Sequence, residues 1–462
     1  MKLHTLLLAA AFALGLISTA CSDLSTDKGR PPMFWTWLDY RHGMNFDSVC
    51  TVVRETGIEA ILLNAPTPDD YRTAIGIAHK HNIRIFAWLW TMNLEHDRDS
   101  ILANHPEWLS VNRRGESLAD TKAYVDYYKF MCPALPEVRD YIRRRITEYC
   151  KVEGLEGIAI DYHRFVDVIL PTTLWPRYGV VQDREHAEWD YGYHPRLIEA
   201  FQKIHGYDPR LLDDPSADAK WLQFRCDQIT EVANEIADIV HAHGKLMAAS
   251  PFPTPAMSRQ MVRQDWGRWN LDLVFPMVYH TFYTGDVSFI ADCTIDNTEQ
   301  KNPLTTLYCG LMVTQGDEMF RSMDAALNNG ARGIAIFTVN SLRSPEMRAR
   351  FRQYTDSVRL LRARTGASDG LSAAASSVSA SSEPDPFRKP ELMLAVRERI
   401  AAKAGMNDEA SAAQFRLGEF IFEAEQGAAK SYLVEEMSSG KSFRVSFYYY
   451  GGILSGWNVE AV

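Results

Sequence analysis

Eight short apolar runs, each followed by a stretch with helical periodicity, constrain the fold of this 462-residue chain more than any other feature. A continuous apolar run predicts a strand that is buried on both faces, and the amphipathic stretch after it predicts a helix that covers the sheet. Eight such units in succession have the count and order of a (β/α)8 TIM barrel of the α/β class. An open doubly wound sheet is the alternative, but it needs a glycine-rich phosphate turn or a central switch point, and neither is visible in the sequence.

The boundaries of these elements follow from the same patterns. The strands are predicted at 33–39, 58–64, 83–90, 154–165, 245–251, 271–280, 304–310 and 333–338. The helices are predicted at 47–55, with Asp47 as N-cap, and at 69–81, 136–152, 195–205, 217–243, 254–266, 287–299, 315–329 and 344–364. Two long segments, 91–136 and 166–190, follow the third and fourth strands, and insertions of this length are more often functional than accidental.

The composition predicts two domains joined by a linker. Residues 32–364 are the expected barrel and catalytic domain, and 365–387 are a Ser/Ala-rich linker. Residues 388–462 are expected to form a small α+β accessory domain, with helices at 389–404 and 408–426 and strands at 431–436, 443–450 and 454–459. Its aromatic residues at 448–450 and 457 are expected to pack the small sheet, and binding of a sugar or a partner is the alternative.

The N-terminus has the pattern of an export signal. Residues 1–20 combine a basic start, an apolar run and small residues before Cys21. This ending resembles the lipobox of bacterial lipoproteins, and the resemblance implies that Cys21 becomes a lipidated N-terminus followed by a polar tether over 21–31. We therefore expect an exported protein that is lipid-anchored to the outer membrane and faces the periplasm or the cell surface. A plain signal peptide cleaved nearby is the alternative.

Charge and cysteine usage exclude some classes of partner. The formal net charge of -10 and the pI near 5.8 argue against a nucleic-acid partner. The short basic run at 143–145 lies in a helical pattern and is expected to be solvated. The six cysteines after Cys21 have no paired spacing and no zinc pattern, so the sequence predicts that most are buried free thiols and predicts no metal or cofactor site. Export would permit a disulfide, which is the alternative.

The fourth predicted strand ends in the most informative polar group of the chain. Period-two alternation places Gly157, Ala159, Asp161 and His163 on one face. In a barrel, Asp161 would stand at the C-terminal rim, where barrel enzymes keep their chemistry. With His163 and Arg164 beside it, the carboxylate is expected to stay charged. The alternative is that Asp161 only pairs with Arg164 or caps the next helix.

Several stretches carry a resemblance to a known family. They are residues 87–88, 105–109 with Gly115, 133–139, 157–165, 250–252 and 275–279. In this order, over roughly 33–364, they resemble the bacterial family-ten-like glycosylhydrolases, which are glycosyl-hydrolase-like barrels and often lipoproteins. The chain departs from that pattern at Asn64, where a Gln-x-Arg motif is expected, and at Met277, where glutamine is common. The resemblance implies a glycosidase that acts on a poly- or oligosaccharide without a cofactor.

Glycoside hydrolysis normally uses two carboxyl groups, one ionised and one protonated. Asp161 is the first candidate, as a nucleophile or a base. Its partner is expected to be Glu95, in the segment after the third strand, or Asp39, at the end of the first, with Asp126 ranked third. The fourth strand also resembles, more distantly, the nucleophile-bearing strand of α-amylase-like barrels, but the fifth strand lacks their acidic glutamate.

Aromatic and polar residues at predicted strand ends are candidates for binding sugar. Flat indole faces suit the C–H faces of a sugar ring, and the side chains of Trp37, Trp88 and Trp90 are the candidates for such stacking. Hydrogen bonds to sugar hydroxyls or a carboxylate are expected from His163, Arg164, Tyr279 and His280.

Two other functional classes remain open from the sequence. A decayed barrel could keep the aromatic platform and bind glycans without turnover. A metal-dependent hydrolase is a second alternative, because Asp161 and His163 at i and i+2 would share a face as two ligands could. That reading needs further ligands, and a His-x-His motif on the first strand is absent.

Overall fold

The computed structural model describes residues 33–366, 385–406, 415–450 and 452–462. Within them, eight parallel strands pair in sequence order and close on themselves, because β1 pairs with both β2 and β8. The predicted (β/α)8 barrel is therefore confirmed. The strands are β1 (Met33–Asp39), β2 (Ala60–Asn64), β3 (Arg84–Trp90), β4 (Gly157–Asp161), β5 (Leu246–Ala249), β6 (Leu273–Val274), β7 (Thr306–Met312) and β8 (Gly333–Phe337).

The interior of the barrel is a packed aromatic core. The indole of Trp35 lies with its ring centroid 4.9 Å from Phe275, 5.2 Å from Phe86 and 5.3 Å from Tyr308. Glycine lines the wall where a large ring needs the space, since a methyl group at Gly157 would collide with the ring of Phe86. The interior is thus filled by side chains, as in other barrels of this kind, whose active sites lie at the C-terminal end.

The sixth strand is much shorter than the sequence predicts. It was expected over 271–280 but covers two residues, Leu273–Val274. Pro276 has no N–H to donate, so it interrupts the ladder, and only an isolated bridge between Met277 and Gly310 continues it.

The predicted helices lie outside the barrel in the predicted order, and the long segments after β3 and β4 contain two further short helices that were not predicted. The helices are α1 (Phe46–Glu55), α2 (Pro68–Ala78), α3 (Arg98–Asn104), α4 (Pro136–Cys150), α5 (Trp175–Tyr178), α6 (Pro195–His205), α7 (Ala219–Ala242), α8 (Pro255–Val262), α9 (Ser288–Gln300), α10 (Glu318–Asn328), α11 (Pro345–Gly366) and α12 (Pro390–Ala404). The prediction of Asp47 as the first N-cap is wrong. Asn45 accepts the capping hydrogen bond from the N–H of Ser48, and Asp47 lies in the first turn, where its charge complements the helix dipole.

A separate antiparallel sheet follows the barrel, with strand order β12-β11-β10-β9. Its strands are β9 (Ile421–Gln426), β10 (Ala429–Glu436), β11 (Lys441–Tyr450) and β12 (Ile453–Ala461). The helix predicted at 408–426 is wrong in its described part, because 421–426 pair with β10. Pairing with a neighbouring strand overrides the helical propensity of Glu and Ala here.

The inner strands of the C-terminal sheet pack on both faces, whereas β9 is exposed along its length. One face packs Phe443, Val445 and Phe447 against α12. The other face rests on the barrel, and the ring of Tyr448 lies 5.1 Å from that of Trp175. The three tyrosines at 448–450 are all buried, as expected for residues that pack a small sheet.

The signal sequence, the tether and Cys21 lie outside the described residues, as does most of the linker, so these assignments stay predictions. In the part of the chain that the structure describes, no helix has both the length and the apolar character needed to cross a bilayer. The cysteines at 50, 132, 150, 226, 293 and 309 are buried free thiols, as predicted.

Candidate active site

Polar side chains meet at the C-terminal ends of the first four strands. Asp39 is in register with Asn64, and Trp90 is in register with Asp161. All four continue the inward-pointing positions of their strands, because Trp37, Leu62, Trp88 and Ala159, two residues earlier, belong to the interior cluster. The barrel therefore gathers them at the rim where barrel enzymes carry their active sites.

The carboxyl group of Asp161 lies almost wholly inside this rim. Asp161 is 5% exposed. Its carboxyl group accepts hydrogen bonds from Trp88 Nε1–H (2.9 Å to Oδ2) and from the backbone N–H of Tyr162 (2.5 Å to Oδ1). Burial raises its pKa to about 6, and the nearby negative charge of Glu95 adds to the rise. Both hydrogen bonds and Arg164 oppose the shift but do not cancel it. The carboxyl group therefore stays mostly ionised at pH 7, but it takes up a proton far more readily than an ordinary aspartate.

A turn in the backbone after Asp161 explains why the neighbours do not behave as predicted. Tyr162 has a φ of 46°, in the left-handed region that residues other than glycine rarely adopt. This conformation breaks the strand alternation, so His163 does not share a face with Asp161. Positions held in this region often lie beside functional groups.

His163 is directed into the protein. It is 1% exposed, with Nδ1 2.8 Å from Thr91 Oγ1 and Nε2 3.0 Å from the carbonyl oxygen of Ile229. Burial lowers its pKa to about 4, so the ring is neutral at physiological pH. Because both ring nitrogens are engaged, His163 is removed from the candidate substrate-binding residues, and it cannot join Asp161 as a metal ligand.

Arg164 is also an internal anchor. Its Nη1 donates to Asp167 at 2.8 Å and to the carbonyl oxygen of Phe165 at 2.9 Å. Its guanidinium carbon lies 4.9 to 5.6 Å from the centres of four aromatic rings, those of Tyr128, Phe130, Tyr162 and Phe252. With 4% exposure, Arg164 positions the turn and does not face substrate.

Glu95 is held by two residues that the sequence analysis did not select. Asn64 donates through Nδ2 to Oε1, and Arg145 donates through Nη2 to Oε2 at 3.1 Å. Arg145 also donates to the carbonyl oxygen of Trp90 at 2.5 Å. The side chain of Glu95 is 11% exposed and its ion pair with Arg145 fixes it beside the rim.

The prediction that the run at 143–145 is wholly solvated is wrong for Arg145, whose side chain is 14% exposed. The sequence did carry a signal for this. Position 145 falls on the helical stripe of α4 whose other members, Val138, Ile142 and Tyr149, are buried.

A cavity of about 300 Å³ opens beside this cluster. Trp37 and Trp88 form part of its wall, and Trp37 Nε1–H donates to Ser250 Oγ at 3.2 Å. Asp39 is exposed at its mouth. The lining residues are Trp37, Leu38, Asp39, Arg41, Met44, Trp88, Phe337, Thr338 and Asn340.

The two residues predicted at the end of the sixth strand differ in position. The ring of Tyr279 lies 6.0 Å from that of the cavity residue Phe337, and the charge of Asp161 adds to burial in raising the pKa of its hydroxyl. His280 is 1% exposed, and its Nε2 lies 3.1 Å from Glu318 Oε1. Tyr279 therefore lies next to a residue of the cavity wall, whereas His280 is turned toward α10.

The third carboxylate considered from the sequence lies apart from this cluster. The side chain of Asp126 is 79% exposed and pairs with Lys122 at 3.0 Å. Among the described residues, no group of three or more His, Cys, Asp or Glu side chains is arranged to hold a metal ion.

The arrangement suits proton transfer. A carboxyl group with a pKa near 6 can give up or accept a proton near neutral pH. Next to it, the ion-paired carboxylate of Glu95 supplies a fixed negative charge. Two carboxyl groups with such different surroundings are the usual basis for separate acid and base roles.

Comparison with known proteins bears on the same part of the chain. Residues 54–171 match the family described as Glycosyl hydrolase-like 10. This confirms the resemblance to glycosyl-hydrolase-like barrels over the segment that contains Asn64, Glu95, Arg145 and Asp161. None of the curated proteins matches the chain significantly.

Several solved structures resemble the chain at low identity. An α-amylase from Geobacillus thermoleovorans, complexed with acarbose, has a TM-score of 0.40 and 10% identity, covering 91% of this chain and 87% of its own. A GH20 exo-β-N-acetylglucosaminidase from Vibrio harveyi has a TM-score of 0.41 and 11% identity, covering 73% of this chain and 58% of its own. The glycoside hydrolase domain of PelA from Pseudomonas aeruginosa has a TM-score of 0.37 and 10% identity, covering 67% of this chain and 96% of its own. These TM-scores are too low to carry functional information.

Proposed function

We propose that the protein is a glycoside hydrolase that cleaves O-glycosyl bonds of a poly- or oligosaccharide by carboxylate chemistry at the C-terminal rim of the barrel. The single observation that carries the proposal is the buried carboxyl of Asp161, with a pKa of about 6, beside the ion-paired Glu95. The match of residues 54–171 to a glycosyl hydrolase-like family supports the reaction class.

Asp161 is assigned as the proton donor to the glycosidic oxygen. Its burial favours the neutral acid, which is the form that can protonate a leaving group. Trp88 and Tyr162 hold both carboxyl oxygens in place, so the acid is fixed before substrate arrives. The nucleophile or base role expected from the sequence is replaced by the acid role for this reason.

Glu95 is assigned as the ionised partner. Arg145 and Asn64 satisfy one oxygen each and keep the carboxylate oriented. An ionised carboxylate can act as the nucleophile or as the base that activates water. In either role its charge stabilises the positive charge that develops on the sugar ring. Asp39 is the alternative partner because it lines the cavity mouth.

The cavity beside Trp88 is the proposed site for the sugar next to the scissile bond. Its volume of about 300 Å³ lies at the lower end of the range for small-molecule pockets. Phe337 and, at 8% exposure, Trp88 offer aromatic surface to the C–H groups of a sugar ring, whereas Trp37 is 1% exposed and supports the wall from within. The hydroxyl of Tyr279 is the proposed donor to a ring oxygen or hydroxyl.

A non-catalytic glycan-binding role is the second candidate. The observation that favours it is the 5% exposure of Asp161, which leaves little carboxyl surface for a substrate to reach. In that role the aromatic surfaces would bind sugar and the two carboxyl groups would only stabilise the rim.

We also propose, from the sequence of residues 1–31, that the protein is exported and anchored to the outer membrane by a lipid on Cys21. Metabolic labelling with a fatty acid tests this. Label is expected on the wild-type protein and absent from Cys21→Ser, and label on both would contradict the assignment.

The function is tested with purified protein lacking residues 1–21 on a panel of bacterial-wall, host and plant glycans. Wild-type protein is expected to release products, and Asp161→Asn to lower kcat/KM by roughly 10² to 10⁴-fold. Asp126→Asn is the matched control, since that exposed carboxylate lies outside the cluster. Unchanged turnover in Asp161→Asn would refute the mechanism, and glycan binding without turnover in wild type would favour the second candidate.

A further inference from the structure

Three aromatic rings form a continuous surface beside Asp161, which we call the aromatic wall: Trp90, Tyr162 and Tyr127. The ring centroids of Trp90 and Tyr162 are 4.3 Å apart, and Tyr127 lies 5.9 Å from Trp90 and 6.4 Å from Tyr162. Tyr127 is 41% exposed, and the other two rings are partly exposed. The wall thus runs from the strand ends to the protein surface.

The aromatic wall adjoins the proposed catalytic acid. Trp90 is in register with Asp161 on the neighbouring strand, and Tyr162 is the next residue in the chain. The 300 Å³ cavity lies toward β1 and β8, whereas the wall belongs to β3, β4 and the segment between them. Trp88 and Asp161 stand between these two regions, joined by their hydrogen bond.

The wall is held rigidly from behind. The guanidinium carbon of Arg164 lies 5.1 Å from the centre of the Tyr162 ring. Tyr127 packs edge-on against Tyr128, with centroids 5.1 Å apart, and Tyr128 is itself buried. Rings that are fixed in advance lose little conformational freedom when a ligand stacks on them.

These features point to a sugar chain as the occupant. Flat aromatic faces bind the C–H faces of sugar rings, and tyrosine hydroxyls at the edges can bond sugar hydroxyls. The three rings form a compact triangle next to the proposed acid, on the side away from the 300 Å³ cavity, which suits a sugar unit that follows the reacting one.

We propose that the aromatic wall is a subsite for sugar units beyond the scissile bond, so that the substrate is a chain that continues over β3 and β4 and not a simple monosaccharide glycoside. The proposal rests on the glycosidase function proposed above. Tyr127 is then a specificity residue that acts on long substrates and leaves the chemistry of the reacting unit untouched.

The experiment uses cello-, chito-, malto- and xylo-oligosaccharides of increasing length as probes. Binding is measured by calorimetry on Asp161→Asn, where hydrolysis is blocked, and kcat/KM is measured on the otherwise native chain. In each background Tyr127→Ala is compared with Phe422→Ala, a matched control that removes another exposed aromatic ring, 54% exposed, from the C-terminal sheet.

Affinity and kcat/KM are expected to rise with chain length in the parent proteins. Tyr127→Ala should weaken binding of the longer probes about three- to tenfold and leave the shortest unchanged, while Phe422→Ala changes neither. An equal loss at every length, or no loss at any length, overturns the subsite. So does the absence of binding by every probe.

The two proposals fail in different ways. Length-dependent binding that is lost in Tyr127→Ala, without turnover by the otherwise native chain, supports the wall and refutes the hydrolase. Turnover that does not depend on chain length or on Tyr127 supports the hydrolase and refutes the wall.

Discussion

The indole N–H of Trp88 donates a 2.9 Å hydrogen bond to Oδ2 of Asp161, which ties the carboxyl group at the rim to a ring that lines the cavity. The two residues come from neighbouring strands, β3 and β4. Their bond holds the proposed acid in place although burial disfavours its charge. A carboxyl group that is held in a buried position away from water lowers the stability of the folded protein, and such a cost is typical of functional sites.

Asp161→Asn is therefore predicted to stabilise the protein at neutral pH. The pKa of Asp161 rises from its ordinary value of 3.8 to about 6 in the folded protein, so the folded state binds the proton more tightly than the unfolded state. Stability falls as pH rises from about 4 to about 6, and the full cost, about 3 kcal/mol, persists above pH 6. The amide of Asn avoids this cost but has only one oxygen to accept from the two donors, Trp88 and the backbone of Tyr162. The free energy of unfolding is therefore expected to rise by about 1 to 2 kcal/mol.

Chemical denaturation at pH 5, 6 and 8 measures this effect. The difference between Asp161→Asn and wild type should widen as pH rises and level off above pH 6. A variant that is less stable than wild type at pH 8 would show that the carboxylate is not destabilising. Asp126→Asn, at an exposed position, should show no such trend.

The pH dependence of kcat/KM separates the possible roles of Asp161. As a general acid it must be protonated, so kcat/KM is expected to fall about tenfold per pH unit above pH 6. As a nucleophile or base it must be ionised, and the rate would instead rise through pH 6. The profile is measured on the glycan that gives product release, and a rising limb at pH 6 refutes the acid role.

Substitution of the two candidate partners decides between them. Glu95→Gln is expected to lower kcat by roughly a hundredfold or more, because it removes the fixed negative charge next to Asp161 while keeping an oxygen for Asn64 or Arg145. Asp39→Asn should mainly change KM, because Asp39 is exposed at the cavity mouth. Single-turnover and steady-state rates on the same glycan separate these effects, and the reverse pattern would make Asp39 the partner.

The barrel could be predicted from the sequence because a strand buried on both faces is a continuous apolar run, and a segment such as 333–338 shows it directly. The same reasoning located Asp161 at a strand end. It failed one residue later, since the alternation assumed for His163 holds only while the backbone stays extended, and Tyr162 does not.

The immediate surroundings of Glu95 were beyond such reasoning. Asn64, Glu95 and Arg145 come from a strand end, a loop and a helix, and only the closed barrel brings them together. Arg145 was accessible in principle through the buried stripe of its helix, whereas no local pattern distinguishes Asn64 from any polar residue after a strand. The C-terminal strand at 421–426 was missed because its pairing partner, β10, decides its structure.

The close approach of Gly456 to Thr172 gives a last prediction, on how the C-terminal sheet meets the barrel. A methyl group on Gly456 would lie 2.9 Å from Cβ of Thr172 and closer still to the ends of that side chain, which is buried. Gly456→Ala should push β12 off the segment before α5 and separate Tyr448 from Trp175, at a cost of about 1 to 3 kcal/mol. Gly418→Ala is the matched control, because its methyl group would meet other atoms no closer than 3.4 Å.

Denaturation and limited proteolysis measure the effect of Gly456→Ala. Faster cleavage of the C-terminal segment is expected, together with unchanged turnover, because the contact lies on the outside of the barrel and not among Asp161, Glu95 and the cavity. If both glycine variants were equally stable and equally resistant to protease, the sheet would not be docked through this contact. A loss of turnover in Gly456→Ala alone would instead mean that the sheet supports the rim, through the segment between β4 and α5.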